Sequence, residues 1–187
     1  MKILLILCFF LLSACSSFEQ REDRISLDNY SHYYLQPVPK VFWGQASLQK
    51  LLITTPQDRF ELLLQTELRP NRIDMVGLST AGIVLFELKW SNELGLATKT
   101  HISTQGVEAQ VMLAYLQLAN WPLKSVQQGL NNLQVGMSDD NIQKRQFFRQ
   151  DQLVFDVISS QQHTLMTHYL DHYQIEITSL QQSKIEM

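Results

Sequence analysis

Between residues 60 and 90 apolar and polar side chains alternate almost one for one. Phe60, Leu62, Leu64 and Leu68 are interleaved with Glu61, Gln65 and Glu67. Successive side chains of a strand point to opposite faces, so this pattern predicts a long strand with one face buried. Arg69-Pro70-Asn71 is turn chemistry, Arg72 to Leu78 reads as the next strand, and Ser79-Thr80-Ala81-Gly82 as the next turn. Ile83 to Trp90 alternates again, with Val84, Phe86, Leu88 and Trp90 opposite Glu87 and Lys89. Leu51 to Thr54 looks like a strand leading in, and Ser91-Asn92 starts the turn leading out. Strands of this kind joined by tight turns form an antiparallel meander.

The period then changes. Val107, Val111, Ala114, Tyr115 and Leu118 sit at helical spacing, with Thr104 as N-cap and Glu108 in the first turn. Met112, Leu113 and Leu116 make this helix apolar around most of its girth, and such a helix is buried on more than one side. Pro122 then opens a second short helix, to about Leu130, in the N1 position proline prefers. Four further strands follow, at Ile142 to Arg149, Gln152 to Ser159, Thr164 to Leu170 and Tyr173 to Ser179. Asp139-Asp140-Asn141 and Asp171-His172 supply turns, and Gln181 to Met187 reads as a frayed end. Strands, a helical insertion, then strands, with no βαβ alternation, predict an α+β, mainly β fold. Its curved antiparallel sheet is partly closed, with the helices against one face.

The first residues say where such a domain resides. Ile3 to Leu12 is apolar behind Lys2. Ten residues make a helix of about 15 Å, half of a bilayer's hydrocarbon core, so the run reads as a signal-peptide h-region. Leu12-Ser13-Ala14-Cys15 resembles the bacterial lipobox, in which small residues admit the peptidase and the cysteine thiol takes the diacylglycerol. Residues 1–14 are then leader, Cys15 the lipid anchor, 15–46 a lipidated tether and entry segment containing Pro37 and Pro39, and 47–187 the domain. Ser16 after the cysteine resembles the export signal of Gram-negative outer-membrane lipoproteins. The expectation is an outer-membrane lipid anchor facing the periplasm. With Cys8 removed and Cys15 acylated, no disulfide or free thiol remains.

Signs of catalysis are scarce. There is no G-x-S-x-G, P-loop, H-E-x-x-H or C-x-x-C pattern. His163, His168 and His172 with Asp171 are the one cluster of metal-ligand type. On a strand His168 and His172 would lie about 13 Å apart, and edge and turn histidines are the plainer reading. Asp139-Asp140 likewise reads as a turn before an acid–base pair. No catalytic residue, metal or cofactor is expected. A formal charge of -3 with no basic block gives no support to nucleic-acid binding. Of the residues, 45% are hydrophobic and 18% charged, so apolar surface is ample. Its stripes fit either a filled core or a cavity between sheet and helix that accepts acyl chains.

The stretch GLSTAGIVLFELKW (Gly77 to Trp90), followed by QLANWPLKSVQQGL (Gln117 to Leu130), resembles a family of bacterial lipoproteins encoded in aryl-polyene biosynthesis clusters. That family is similar in turn to LolB, the outer-membrane lipoprotein receptor. The resemblance implies an unclosed β-barrel with a helical lid, LolA/LolB-like, over a cavity. It implies as cavity residues Phe60, Leu62, Leu64, Phe86, Leu88, Val111, Tyr115, Phe155 and Ile175. It also implies an acyl chain or lipid such as an aryl-polyene lipid as ligand, and a periplasmic carrier protein as partner. LolB carries a protruding Leu in the turn before the strand. The matching residue here is Ala81, flanked by Leu78 and Ile83, so an insertion step like LolB's is not implied. The competing expectation is an envelope scaffold with a filled core, and a third is a hydrolase using the histidines.

Overall fold

The computed structural model describes residues 23–102, 108–137 and 143–186. The leader, Cys15, Thr104, Val107 and the Asp139-Asp140-Asn141 turn lie outside them. Thirteen strands and two α-helices follow in order. They are β1 (Arg24–Ser26), β2 (His32–Tyr34), β3 (Gln45–Thr54), β4 (Arg59–Arg69), β5 (Arg72–Leu78), β6 (Val84–Ser91), β7 (Gly95–Thr100), α1 (Ala109–Asn120), α2 (Leu123–Gly129), β8 (Leu130–Asn131), β9 (Gln134–Met137), β10 (Gln143–Arg149), β11 (Gln152–Ser159), β12 (His163–His168) and β13 (Tyr173–Lys184).

Ten of these strands form one antiparallel sheet in the order β7-β6-β5-β4-β3-β13-β12-β11-β10-β9. Two meanders, one on each side of the helical insertion, are joined where β13 pairs with β3 from Gln174↔Thr54 to Lys184↔Gln45. The outer strands β7 and β9 do not pair with each other, so the sheet is not closed. It curls strongly. At about 4.8 Å per strand a flat sheet would put β6 and β11 about 29 Å apart, beyond the roughly 18 Å length of a twelve-residue helix. Yet α1 packs on β6, and its Tyr115 ring lies 6.4 Å from Phe155 of β11.

The local chemistry follows the alternation. On β4, Leu62, Leu64, Thr66 and Leu68 are buried, while Glu61, Gln65 and Glu67 face away. Gly82, at φ 81°, closes the β5–β6 turn in a conformation that suits glycine. Gly77 pairs with Phe86, whose ring lies over it, and a Cβ there would be 2.3 Å from Phe86 Cε1.

Several sequence expectations shift. β3 starts at Gln45, not Leu51, because its first inward residues are polar. Residues 181–184 are not frayed: β13 runs on to Lys184, paired with β3. β7 and β9 had no periodic signal, being edge strands with exposed polar residues such as Lys99 and Gln134. Pro122 is the N-cap of α2, not N1. Its ψ of 140° is not helical, while its carbonyl accepts the first helical bond from Val126 N at 3.0 Å. Glu108 likewise caps α1 through its backbone, its carbonyl taking Val111 N at 3.0 Å.

From Asp23 the entry segment is built of short strands and packs on the domain. Ile25, Leu27, Tyr33, Leu35 and Val38 belong to the main hydrophobic core. β1, β2 and β8 form a small sheet of their own. The segment then crosses the side of α1 away from the large sheet. Gln117, wholly buried, takes Gln36 N on Oε1 at 2.8 Å and donates through Nε2 to Gln36 O at 3.1 Å. Trp121 Nε1 donates to Pro37 O at 3.0 Å, and its ring stacks on Phe42 at 5.2 Å. This is why α1 is apolar all round: the sheet covers one side and the entry segment the other.

A second fastening holds the segment to the sheet. Arg149, at the end of β10, pairs with Asp28 and donates to Ser31 Oγ at 2.8 Å. The Asp28 carboxylate also takes Tyr30 N at 2.7 Å and Ser31 N at 2.8 Å. The loop is thus shaped around the ion pair.

Candidate functional site

All nine residues implied as cavity lining join the core. Leu62, Leu64, Phe86, Leu88, Tyr115, Phe155 and Ile175 are buried, and Phe60 and Val111 pack partly buried against them. The structure separates their roles. Leu64, Tyr115 and Ile175 line an apolar pit between α1 and the sheet, together with Leu51, Met112, Leu116 and Ile177. Phe60, Leu62, Phe86, Leu88, Val111 and Phe155 do not border it; they fill the interior.

The pit measures about 30 Å³. That is roughly one water's share of liquid volume, far below the several hundred Å³ of ordinary ligand sites. Among the described residues this pit is therefore not a ready-made hollow. The apolar faces of sheet and helix meet and exclude almost all space, as close-packed interiors do.

The pit is nevertheless not isolated. Two larger chambers flank it, of about 330 Å³ and 320 Å³. Gln49 and Asn120 border all three spaces. The first chamber lies over β10–β13, with Arg145, Ser159, Gln162, Thr164 and Ser179 in its wall. The second lies between Phe42, Leu68, Leu116, Trp121 and Lys184. Together they make a seam beneath the C-terminal half of α1, polar at its ends and apolar at its floor.

Sequence reasoning passed over the polar part of this seam. The signal was present in strand parity. Counting back by twos from Ile53 and Leu51 gives Gln49, Ser47 and Gln45, three polar residues that share the inward parity with the core. A run of polar residues on a buried parity marks a wet part of the interior.

Beside the pit runs a ladder of rings. Phe147, Phe155, His168 and Tyr173 are successive cross-strand partners on β10 to β13. They stack at 4.0, 5.8 and 4.9 Å between centroids, and Tyr115 of α1 leans on Phe155 and Tyr173. Such pairs add about 0.5–1.5 kcal/mol each beyond their buried area. His168 is thus a buried ring of the ladder, not an edge or turn residue. Its Nδ1 accepts Asp171 N at 3.1 Å, and Nε2 has no partner. Burial holds its pKa below the usual imidazole value, against the opposing pull of the Asp171 and Asp28 charges. Burial also raises the Tyr173 and Tyr33 hydroxyls well above the usual phenol range. His163 stands five residues from His168, so strand parity sends it to the other face, where it meets Thr178 Oγ1 at 3.3 Å. His172 sits in the β12–β13 turn at φ 54°. Among the described residues no three of His, Cys, Asp or Glu come together as metal ligands.

Arg145 is the charged residue of the first chamber. It reaches inward from β10 and donates Nη1 to Leu118 O at 2.8 Å, near the C-terminus of α1. Burial lowers its pKa, and the Tyr33 hydroxyl opposes that shift. In the β5–β6 turn Ala81 is exposed and Ile83, at 55% exposure, is the large apolar side chain that protrudes. No described helix is long and apolar enough to cross a membrane.

No curated protein matches this chain. A solved domain from Vibrio parahaemolyticus, provisionally named for outer membrane lipoprotein sorting, superposes with a TM-score of 0.40 at 8% identity, covering 78% of this chain and 86% of that one. Residues 46–181, more than half of the chain, match the family of proteins of unknown function DUF3261. They span the sheet from β3 to β13 with both helices between, so the chain belongs to the DUF3261 family.

Proposed function

We propose that this protein is a non-enzymatic lipoprotein of the bacterial envelope that binds an acyl chain beneath α1 and assists its transport or placement. The observation that carries the proposal is the seam: an apolar floor continuous with two chambers, under one short helix, on a sheet left unclosed. Lifting the C-terminal half of α1 from β3 and β13 joins the three spaces into one groove. Apolar surface exposed by lifting would be covered again by the chain. Each CH₂ so buried contributes about 0.8 kcal/mol. No covalent step is needed for uptake or release.

The lipobox read from the sequence supplies the setting. Acylation of Cys15 holds the domain at the outer membrane, facing the periplasm, and more than one acyl chain gives a firm anchor. On the sequence resemblance, the cargo is an aryl-polyene lipid or another lipidated product, handed over by a periplasmic carrier.

A second reading has its own observation. The 30 Å³ pit and the bonds that fasten Gln117 and Trp121 favour a filled core, hence an envelope scaffold that holds a protein partner. One experiment separates them. The mature chain carrying C15S is purified, extracted with solvent for mass spectrometry, and titrated with a fluorescent fatty acid. Co-purifying lipid or saturable binding supports the carrier. An empty protein that takes up no probe supports the scaffold and overturns the proposal.

A further inference from the structure

The first chamber adjoins the apolar pit, where the head of a chain lying in the seam comes to rest under the acyl-binding reading. Its wall is a set of neutral hydrogen-bonding side chains: Gln49, Asn120, Gln143, Ser160, Gln162 and Ser179 among others. Arg145 is the only charged residue lining it among the described residues, and no carboxylate there faces it. A guanidinium carries five N–H donors. Here Nη1 is spent on Leu118 O. A half-buried cation without a carboxylate partner among the described residues favours an anion, and planar guanidinium suits carboxylate or phosphate oxygens best.

The chamber is also placed for a head group. It shares Gln49, Ala119, Asn120, Thr164 and Ile177 with the apolar pit, so a chain leaving the chamber enters the seam directly. Its volume of about 330 Å³ is at the small end of ligand sites, enough for a compact head but not for a large glycan. The second chamber is lined at its far end by Lys184, on the other side of Gln49.

We propose that the chamber around Arg145 is a head-group site, and that the ligand class is an acyl amphiphile with a compact anionic head, a carboxylate or a phosphate monoester. This rests on the acyl-binding reading of the seam. Arg145 pairs with the head; the neighbouring glutamine, asparagine and serine side chains supply neutral donors; the chain runs under α1. Neutral and cationic amphiphiles of equal length bind less tightly, since they leave the guanidinium without an anion.

The test is displacement of a bound fluorescent fatty acid from the mature C15S chain by palmitate, hexadecyl phosphate, hexadecanol or inorganic phosphate. Palmitate and hexadecyl phosphate are expected to displace at about tenfold lower concentration than hexadecanol, the scale of one charge-assisted hydrogen bond. R145Q should weaken both acids to the level of the alcohol and leave the alcohol unchanged, while R145K recovers part of the preference. Inorganic phosphate alone should not displace the probe. Equal displacement by acid and alcohol in the unaltered protein overturns the head-group site and leaves acyl binding standing. R145Q weakening acid and alcohol alike also overturns it, because Arg145 would then act only through Leu118. Displacement by inorganic phosphate as strong as by the amphiphiles would make this a simple anion site. If the fluorescent fatty acid does not bind at all, the acyl reading itself fails and this inference with it.

Discussion

Replacing Gln117 with Met keeps the length and apolar stem of the side chain and removes its two bonds to the Gln36 backbone. The Gln36 carbonyl retains a weak partner, Trp121 Nε1 at 3.4 Å, while the Gln36 N–H loses its acceptor. Two neutral hydrogen bonds contribute about 1 kcal/mol each, and an orphaned, partly buried donor adds about 1 kcal/mol more. The expected loss is therefore about 2–3 kcal/mol, a large part of an ordinary domain's stability. Urea unfolding should register it as a midpoint lowered by about 1 M with an unchanged slope. Hydrogen exchange should show the Gln36 amide losing protection ahead of the sheet. If α1 is the cover over the seam, the same change raises the population of the lifted state. About 2 kcal/mol corresponds to roughly 30-fold, which should appear as faster uptake of a fluorescent fatty acid. A stability loss below about 0.5 kcal/mol would refute the fastening role of Gln117. A full loss of stability with unchanged uptake would show that lifting α1 is not the route in.

Other outcomes follow from the same geometry. Asp28→Ala removes the partner of Arg149 and the acceptor for Tyr30 N and Ser31 N, and should destabilise by about 3 kcal/mol in urea unfolding, more than Arg149 and Asp28 changed together. Gly77→Ala puts a Cβ 2.3 Å from Phe86 Cε1, so the ring must shift, with a loss of about 1–3 kcal/mol by thermal unfolding. His168 has a lowered folded pKa, so the unfolded chain binds a proton that the native one refuses. Its contribution is intact above the unfolded value of 6.5 and is lost as pH falls from there through the folded value. His168→Phe should flatten that part of the stability–pH curve, and an unchanged slope below pH 6.5 would assign it to another group.

Strand alternation made most of the sheet legible. β4, β5 and β6 lie close to where the sequence pattern placed them, because each largely buries one face and wets the other, while β11 buries Val154 to Val157 on both faces. The same logic failed where a strand's inward face is polar, at Gln45, Ser47 and Gln49, and where an edge strand is exposed, at β7 and β9. The candidate site was legible in part. Leu64, Tyr115 and Ile175 border the pit, while Phe60, Leu62, Phe86, Leu88, Val111 and Phe155 show the same apolar pattern and pack in the core without bordering it. Arg145 gave no local signal, since nothing in its neighbours on β10 says that it lines a chamber beneath α1.

The chain order alone determined a mainly β domain interrupted by one helix buried on two sides, and the residue types ahead of it led to the expectation of an acylated start at Cys15. Those are properties of local pattern: periodicity, turn residues and processing chemistry act within a few residues of one another. Tertiary structure decided that β13 closes onto β3, that the entry segment crosses α1 through Gln117 and Trp121, and that the helix and sheet meet over 30 Å³ and not a hollow. These depend on how far the sheet curls and how side chains from distant strands share one space. Such distances are set by packing between residues as far apart as Gln36 and Gln117, which no local pattern records.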